Sequence, residues 1–177
     1  MVATDRIATL RTAFERVVAR LRGKFGDAGL TTSEFRDNFR VLVGAEKVEA
    51  VLASLKADGF DMLVELGAAD YLRYPNAKDR YGVWYCLLNT TTGERVIVKT
   101  FANDPEPSLP SVYHLWRGSD WMEREVYDMY GVVFDGHPDM RRILLPDEFT
   151  SFPLRKDYPM RGRGERHNFQ PLTRSNS

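Results

Sequence analysis

The run MEREVYDMYG, residues 122–131, gathers four charged side chains: Glu123, Arg124, Glu125 and Asp128. On a helix, Glu125 and Asp128 stand three apart and share a face. Two carboxylates so placed are what a paired acid–base site needs. The same spacing sets Glu123 and Arg124 on the side opposite Met122, Val126, Met129 and Tyr130. That is the pattern of a surface helix with a solvated acidic face, and the carboxylate pair alone does not outweigh it. The next segment, FDGHPDMRRILLP, puts Gly136, His137 and Pro138 in a tight turn, where His137 reads as a turn residue rather than a ligand. Arg141 and Arg142 follow. Neighbouring side chains of an extended chain point opposite ways, so one of the two arginines faces the packed side and requires a carboxylate there. Glu123, Glu125 and Asp128, on the preceding helix, are the candidates. With Arg155, Lys156 and Asp157, these charges sit among prolines and apolar residues. That setting favours structural and docking roles over catalysis.

Other chemistries leave no mark. Cys86 is the one cysteine, so no internal disulfide forms and the chain alone cannot ligate an iron–sulfur cluster. No GxGxxG follows a strand and no GxxxxGK[ST] occurs. His114, His137 and His167 lack the spacing of a local zinc motif. No cofactor is expected on this chain. The 25 basic and 25 acidic side chains balance, which disfavours nucleic acid as a partner. Asp5, Arg6 and Arg11 stand where a signal peptide needs an apolar stretch. No apolar run approaches the roughly 18 residues of a membrane span. A cytosolic protein, or one held to a membrane only through partners, is expected.

The elements that position these residues begin with a helix. Ile7, Leu10, Phe14, Val17, Val18 and Leu21 recur at helical period, and Gly23 is expected to stop the run. A Gly-rich connection leads to a strand through Phe39, Val41 and Val43. A helix carrying Val48, Val51, Leu52 and Leu55 ends at Gly59, and Phe60–Leu66 reads as a strand. Two longer strands, Tyr81–Leu88 and Arg95–Phe101, flank the hairpin loop NTTTGE. This order predicts an α+β fold: a two-layer sandwich with helices on one face of a mainly antiparallel or mixed sheet, and an extended C-terminal arm. The sandwich body spans 1–102. Three prolines in NDPEPSLPS break the pattern, and a signature segment spans 103–159, with Asp120 capping a short helix and Glu123 completing a capping box. A flexible tail covers 160–177. From Asn103 to Asp139 eight acidic residues face two basic ones, and from Arg141 onward eight basic face four acidic. A basic arm meeting an acidic partner would account for that split.

The run EREVYDMYGVVFDGHPDMRRILLPDEF…PLRKDYP resembles the signature of the respiratory-chain NADH dehydrogenase C-subunit family. Its elements fall on Glu123–Glu125, Tyr127 and Asp128, Gly131 and Val132, Gly136–Asp139, Arg142–Leu144 and Pro153–Pro159. PSVYHLWRGSDW resembles the family's lead-in. Phe149, Thr150 and Ser151 stand where the family has Trp-x-Gly, so a different turn is expected before Pro153. The resemblance implies a non-catalytic subunit of proton-pumping NADH:quinone oxidoreductase, respiratory complex I. It would lie in the peripheral arm against the D subunit near the quinone site, with the B and I subunits among its partners. NADH, FMN, iron–sulfur clusters and quinone would belong to the rest of the complex, on the cytoplasmic side of the inner membrane. Interface or structural roles are implied for Glu123, Arg124, Glu125, Tyr127, Asp128, Gly136, His137, Pro138, Arg141, Arg142, Pro153, Leu154, Arg155, Lys156, Asp157 and Tyr158. Rival readings are the equivalent subunit of a membrane-bound hydrogenase, ferredoxin:plastoquinone or coenzyme-F420 dehydrogenase complex and, from another class, a free-standing hydrolase using Glu125 and Asp128.

Overall fold

The computed structural model describes residues 2–35 and 38–165. Helix α1 (Val2–Phe25) leads into strands β1 (Leu30–Phe35) and β2 (Asn38–Val43), then helix α2 (Val48–Ala57). Strands β3 (Met62–Asp70), β4 (Tyr81–Leu88) and β5 (Arg95–Ala102) follow. The second half adds β6 (Ser108–Pro110), helix α3 (Ser119–Tyr130) and β7 (Val133–Asp135). Five strands form one sheet in the order β1-β2-β5-β4-β3. All neighbours are antiparallel except β2 and β5, which run parallel. The sheet is therefore mixed, within the α+β sandwich the sequence predicts.

Alternation decides which face is covered. Tyr81, Val83, Tyr85 and Leu87 of β4 point to one face with Val96, Val98 and Ala102 of β5, and all are buried. Val17, Val18 and Leu21 of α1, Val51, Leu52 and Leu55 of α2 and Val126 of α3 join them in one continuous core. On the opposite face Trp84, Ile97 and Lys99 stay partly open.

Four expectations are corrected. Gly23 does not end α1: the helix runs on to Phe25, and Gly26, at φ +76°, provides the left-handed stop. A helical glycine costs only about 1 kcal/mol relative to alanine, which flanking turns absorb. Strand β1 gave no signal because it is an edge strand in which only Leu30 is buried. Strand β3 continues past Leu66 through Gly67, Ala68 and Ala69, residues of low strand preference. Trp84 lies across them, and a Cβ on Gly67 would meet its ring at 2.7 Å. Finally, the proline-rich stretch contains β6, which pairs in parallel with β7 and ties the start of the signature segment to the end of α3.

Candidate functional site: the charged strap and its seat

Helix α3 packs on β3 and joins the core through Val126, yet two of its acids are wholly buried: Glu123 and Asp128 are each 0 % exposed. The solvated acidic face is therefore corrected. Glu125 is exposed on that helix while Asp128 points into the protein, so the expected pair does not share an environment. The capping box is corrected too. Gly118 occupies the N-cap position without a side-chain cap, and Glu123 turns inward.

Glu123 accepts hydrogen bonds from the Ser111 hydroxyl (2.6 Å) and the Val112 N–H (2.8 Å). The Ser119 hydroxyl faces the same carboxylate without reaching full hydrogen-bond geometry. Burial pushes the Glu123 carboxyl above its ordinary value, and Ser111, Val112, Ser119 and His137 only partly offset this. The ring of His137 is itself fully buried, although its backbone lies at the surface. Its Nδ1 lies 3.0 Å from the Asp139 N–H. Nε2 lies 3.3 Å from the Asp120 carbonyl oxygen and 4.0 Å from Glu123 Oε2. Gly136 supplies φ +86° for this turn, as the Gly-His-Pro reading requires.

Asp128 is the opposite case. Burial raises its carboxyl, but the Leu145 N–H, the Arg142 guanidinium and the Leu144 and Ile143 N–H groups together hold it below its ordinary value. Arg142 Nη1 reaches Asp128 Oδ1 at 2.6 Å, and three successive backbone N–H groups, of Ile143, Leu144 and Leu145, converge on Oδ2 at 2.8–3.1 Å. The two arginines divide as the extended-chain geometry dictates. Arg142 goes inward, and Arg141 stays 75 % exposed with Asp139 at 2.7 Å. Arg124 joins the clamp by donating to the carbonyls of Arg141 and Arg142.

Beyond this clamp the chain lies back on its own body as a strap, so over residues 141–165 the arm's surface is the protein itself. Tyr127 meets Phe152 edge to face at 6.1 Å. The Leu154 N–H donates to Met129 O, and Arg155 Nε donates to Tyr130 O at 2.6 Å. Arg155 thus occupies the negative end of α3, stacked over Tyr81 and Phe152. The Lys156 N–H donates to Asp70, and Asp157 pairs with Arg80 at 2.8 Å. Arg80 also holds Asp70 and Asp104, and Tyr158 bonds Glu165. The tight Pro153 turn leaves Leu154 exposed. Asp70, Arg80 and Asp104 went unforeseen: each lies at a strand end or in a loop with no periodicity to place it, and only the returning strap gives it meaning. Of the expected tail, residues 166–177 lie outside the described residues.

One glycine tests this seat. Gly131 ends α3 at φ +75°, and a Cβ there would meet Arg155 Nη2 and the Phe152 ring at 2.6 Å. Gly131→Ala is expected to cost about 2 kcal/mol or more, adding left-handed strain to a forced shift of the strap. Urea unfolding of the variant checks it, and an unchanged midpoint would contradict the seat.

Among the described residues no group of three or more His, Cys, Asp or Glu is placed to hold a metal, and no helix is long and apolar enough to cross a membrane. A mixed five-stranded sheet covered by helices and closed by a charge-clamped strap makes this an α+β protein. Residues 41–164 match the family described as "Respiratory-chain NADH dehydrogenase, 30 Kd subunit", and the chain belongs to that family. It is 38% identical over 155 residues to NADH-quinone oxidoreductase subunit 5 of Thermus thermophilus, covering 82% of this chain and 72% of that one. Identity to the C subunit of the NADH-quinone oxidoreductase of Trichlorobacter lovleyi is 39% over 150 residues, covering 84% and 91%. A solved trypsin-resistant fragment of Nqo5, residues 1–134 of that protein, superposes with a TM-score of 0.65 at 35% identity, covering 71% of this chain and 97% of that one. A chain of an archaeal membrane-bound sulfane sulfur reductase superposes with a TM-score of 0.70 at 25% identity, covering 90% and 93%.

Proposed function

We propose that this chain is the C subunit of an NADH:quinone oxidoreductase and acts there as a non-catalytic scaffold of the peripheral arm. It packs against the D subunit near the quinone site, with the B and I subunits nearby, on the cytoplasmic side of the membrane. It is held to that membrane by partners. NADH, FMN, iron–sulfur clusters and quinone are bound by the rest of the complex. The observation that carries this reading is how the signature charges are used. Glu123, Asp128, Arg142 and Arg155 are all engaged with the chain's own hydrogen-bonding groups, while Trp121, on the same helix, is 69 % exposed. A wholly buried carboxylate, paired with Arg142 and holding three backbone N–H groups, presents no oxygen to solvent for activating a water, which speaks against Asp128 in the hydrolase reading. An exposed tryptophan beside a rigid clamp suits an interface anchor.

The likeness to the sulfane sulfur reductase chain supports a second reading, an equivalent subunit in a related membrane-bound complex. The electron donor oxidised by the purified assembly separates the two.

Replacing Trp121 by Ala should remove about 2 kcal/mol of docking energy, roughly 30-fold in affinity. Membranes should then contain less assembled complex, with NADH:quinone activity per complex unchanged. Glu125→Gln should also leave that normalised activity unchanged. Full assembly of Glu125→Gln with turnover down about 100-fold would place α3 on the reaction path instead.

A further inference from the structure

The strap is fastened at two ends that differ in kind. At the near end, Asp128 is wholly buried, and lifting residues 142–145 would strip it of Arg142 and three N–H groups at once. A buried charge left without partners is strongly disfavoured. The far end carries a smaller penalty: lifting it would take the Ser151 carbonyl from Arg142, but that guanidinium would keep Asp128. No residue from 150 to 165 is buried. Were this part to lift, Arg80 would keep Asp70 and Asp104, and Asp70 would keep Arg80 and the Leu72 N–H. Asp157, 52 % exposed along its side chain, would pass into water. The carbonyls of Met129 and Tyr130 end a helix, where solvent readily replaces a donor. Opening units are drawn from regions with few buried contacts and solvent-accessible hydrogen bonds.

We propose that residues 151–165 open and close on the body as one unit. The Arg80–Asp157 pair is its clasp and the exposed Thr150, just beyond buried Phe149, its hinge, while residues 141–145 remain fixed on Asp128. The device is built into the chain and does not depend on which assembly the chain enters.

Amide hydrogen exchange on the full chain tests this. The Leu154 and Lys156 amides, which donate to Met129 O and Asp70, should exchange together, at least about tenfold faster than those of Leu144 and Leu145. Asp157→Asn removes one charged partner at a half-exposed position and should accelerate the first pair about tenfold more, leaving the second unchanged. Exchange of both pairs at one common rate in the wild-type protein would overturn the proposal. So would an Asp157→Asn variant in which Leu154 and Lys156 are unaffected, or one in which all four amides accelerate alike.

Discussion

Asp128→Asn should be the most damaging single-atom-scale change in the signature segment, lowering stability by about 3–5 kcal/mol. The carboxylate accepts four hydrogen bonds, one from a guanidinium and three from the chain that becomes the strap. An amide can keep some of the N–H donors on its oxygen, but its NH2 group would face either Arg142 or the Ile143–Leu145 amides as a second donor. Arg142, only 11 % exposed along its side chain, would be left without its counter-charge. For a chain of this size the loss corresponds to a melting midpoint lowered by about 10 °C or more. A double-variant cycle separates the two parts of the clamp. Arg142→Met in an Asp128→Asn background removes the unpaired cation and should recover part of the loss. It should not recover all of it, because the three N–H groups remain poorly satisfied. Full recovery would mean that the ion pair matters and the backbone capture does not. The pH dependence has a definite sign. The folded carboxyl lies below its unfolded value of 3.8, so its contribution is present above that pH and is lost as pH falls below it.

That clamp was half visible in the sequence. Adjacent arginines before an apolar run require one inward-facing arginine, and Asp128 was among the three carboxylates near enough to meet it. Which carboxylate, and the gathering of three N–H groups on it, depend on how the chain turns at Ile143–Leu145, and no periodicity encodes that turn. The strands of the sandwich were legible where one face is buried, as in β4 and β5, and illegible in β1, where five of six residues are exposed. The reading of α3 failed for a specific reason. Helical spacing assigns faces by polarity, so it sent Glu123 to solvent with its neighbours. In the fold, the Ser111 hydroxyl and the Val112 N–H, twelve and eleven residues earlier, wait on the buried side and reverse that assignment. Long-range partners of this kind, like Asp70 and Arg80 under the strap, carry no local signature.

Glu123 should respond to pH in the direction opposite to Asp128, although the two lie on one helix. Glu123→Ala removes the acceptor of the Ser111 hydroxyl and the Val112 N–H and leaves space beside buried Tyr85, whose own phenol is pushed up by burial and by the Glu123 charge. A loss of about 3 kcal/mol is expected from unsatisfied donors and a cavity together. Glu123→Gln keeps an acceptor for Val112 and presents its NH2 to the Ser111 oxygen, so its cost should stay within about 1 kcal/mol. The sign of the pH effect follows from the raised carboxyl. Folding favours the protonated form of Glu123, so ionising it weakens the fold progressively as pH rises above the ordinary value of 4.5 and through the raised one. Asp128 and Asp157, both held below 3.8, contribute only on the acid side of that window. Asp120 and His137 face the same pocket and are unchanged in both proteins being compared. The stability difference between Glu123→Gln and the wild-type chain, measured by urea unfolding from pH 4.5 to 8, should therefore move in favour of the glutamine variant as pH rises. A difference that stays constant across that range would show that Glu123 is not the buried acid whose ionisation weakens the fold, and the inward turn of α3 would have to be redrawn.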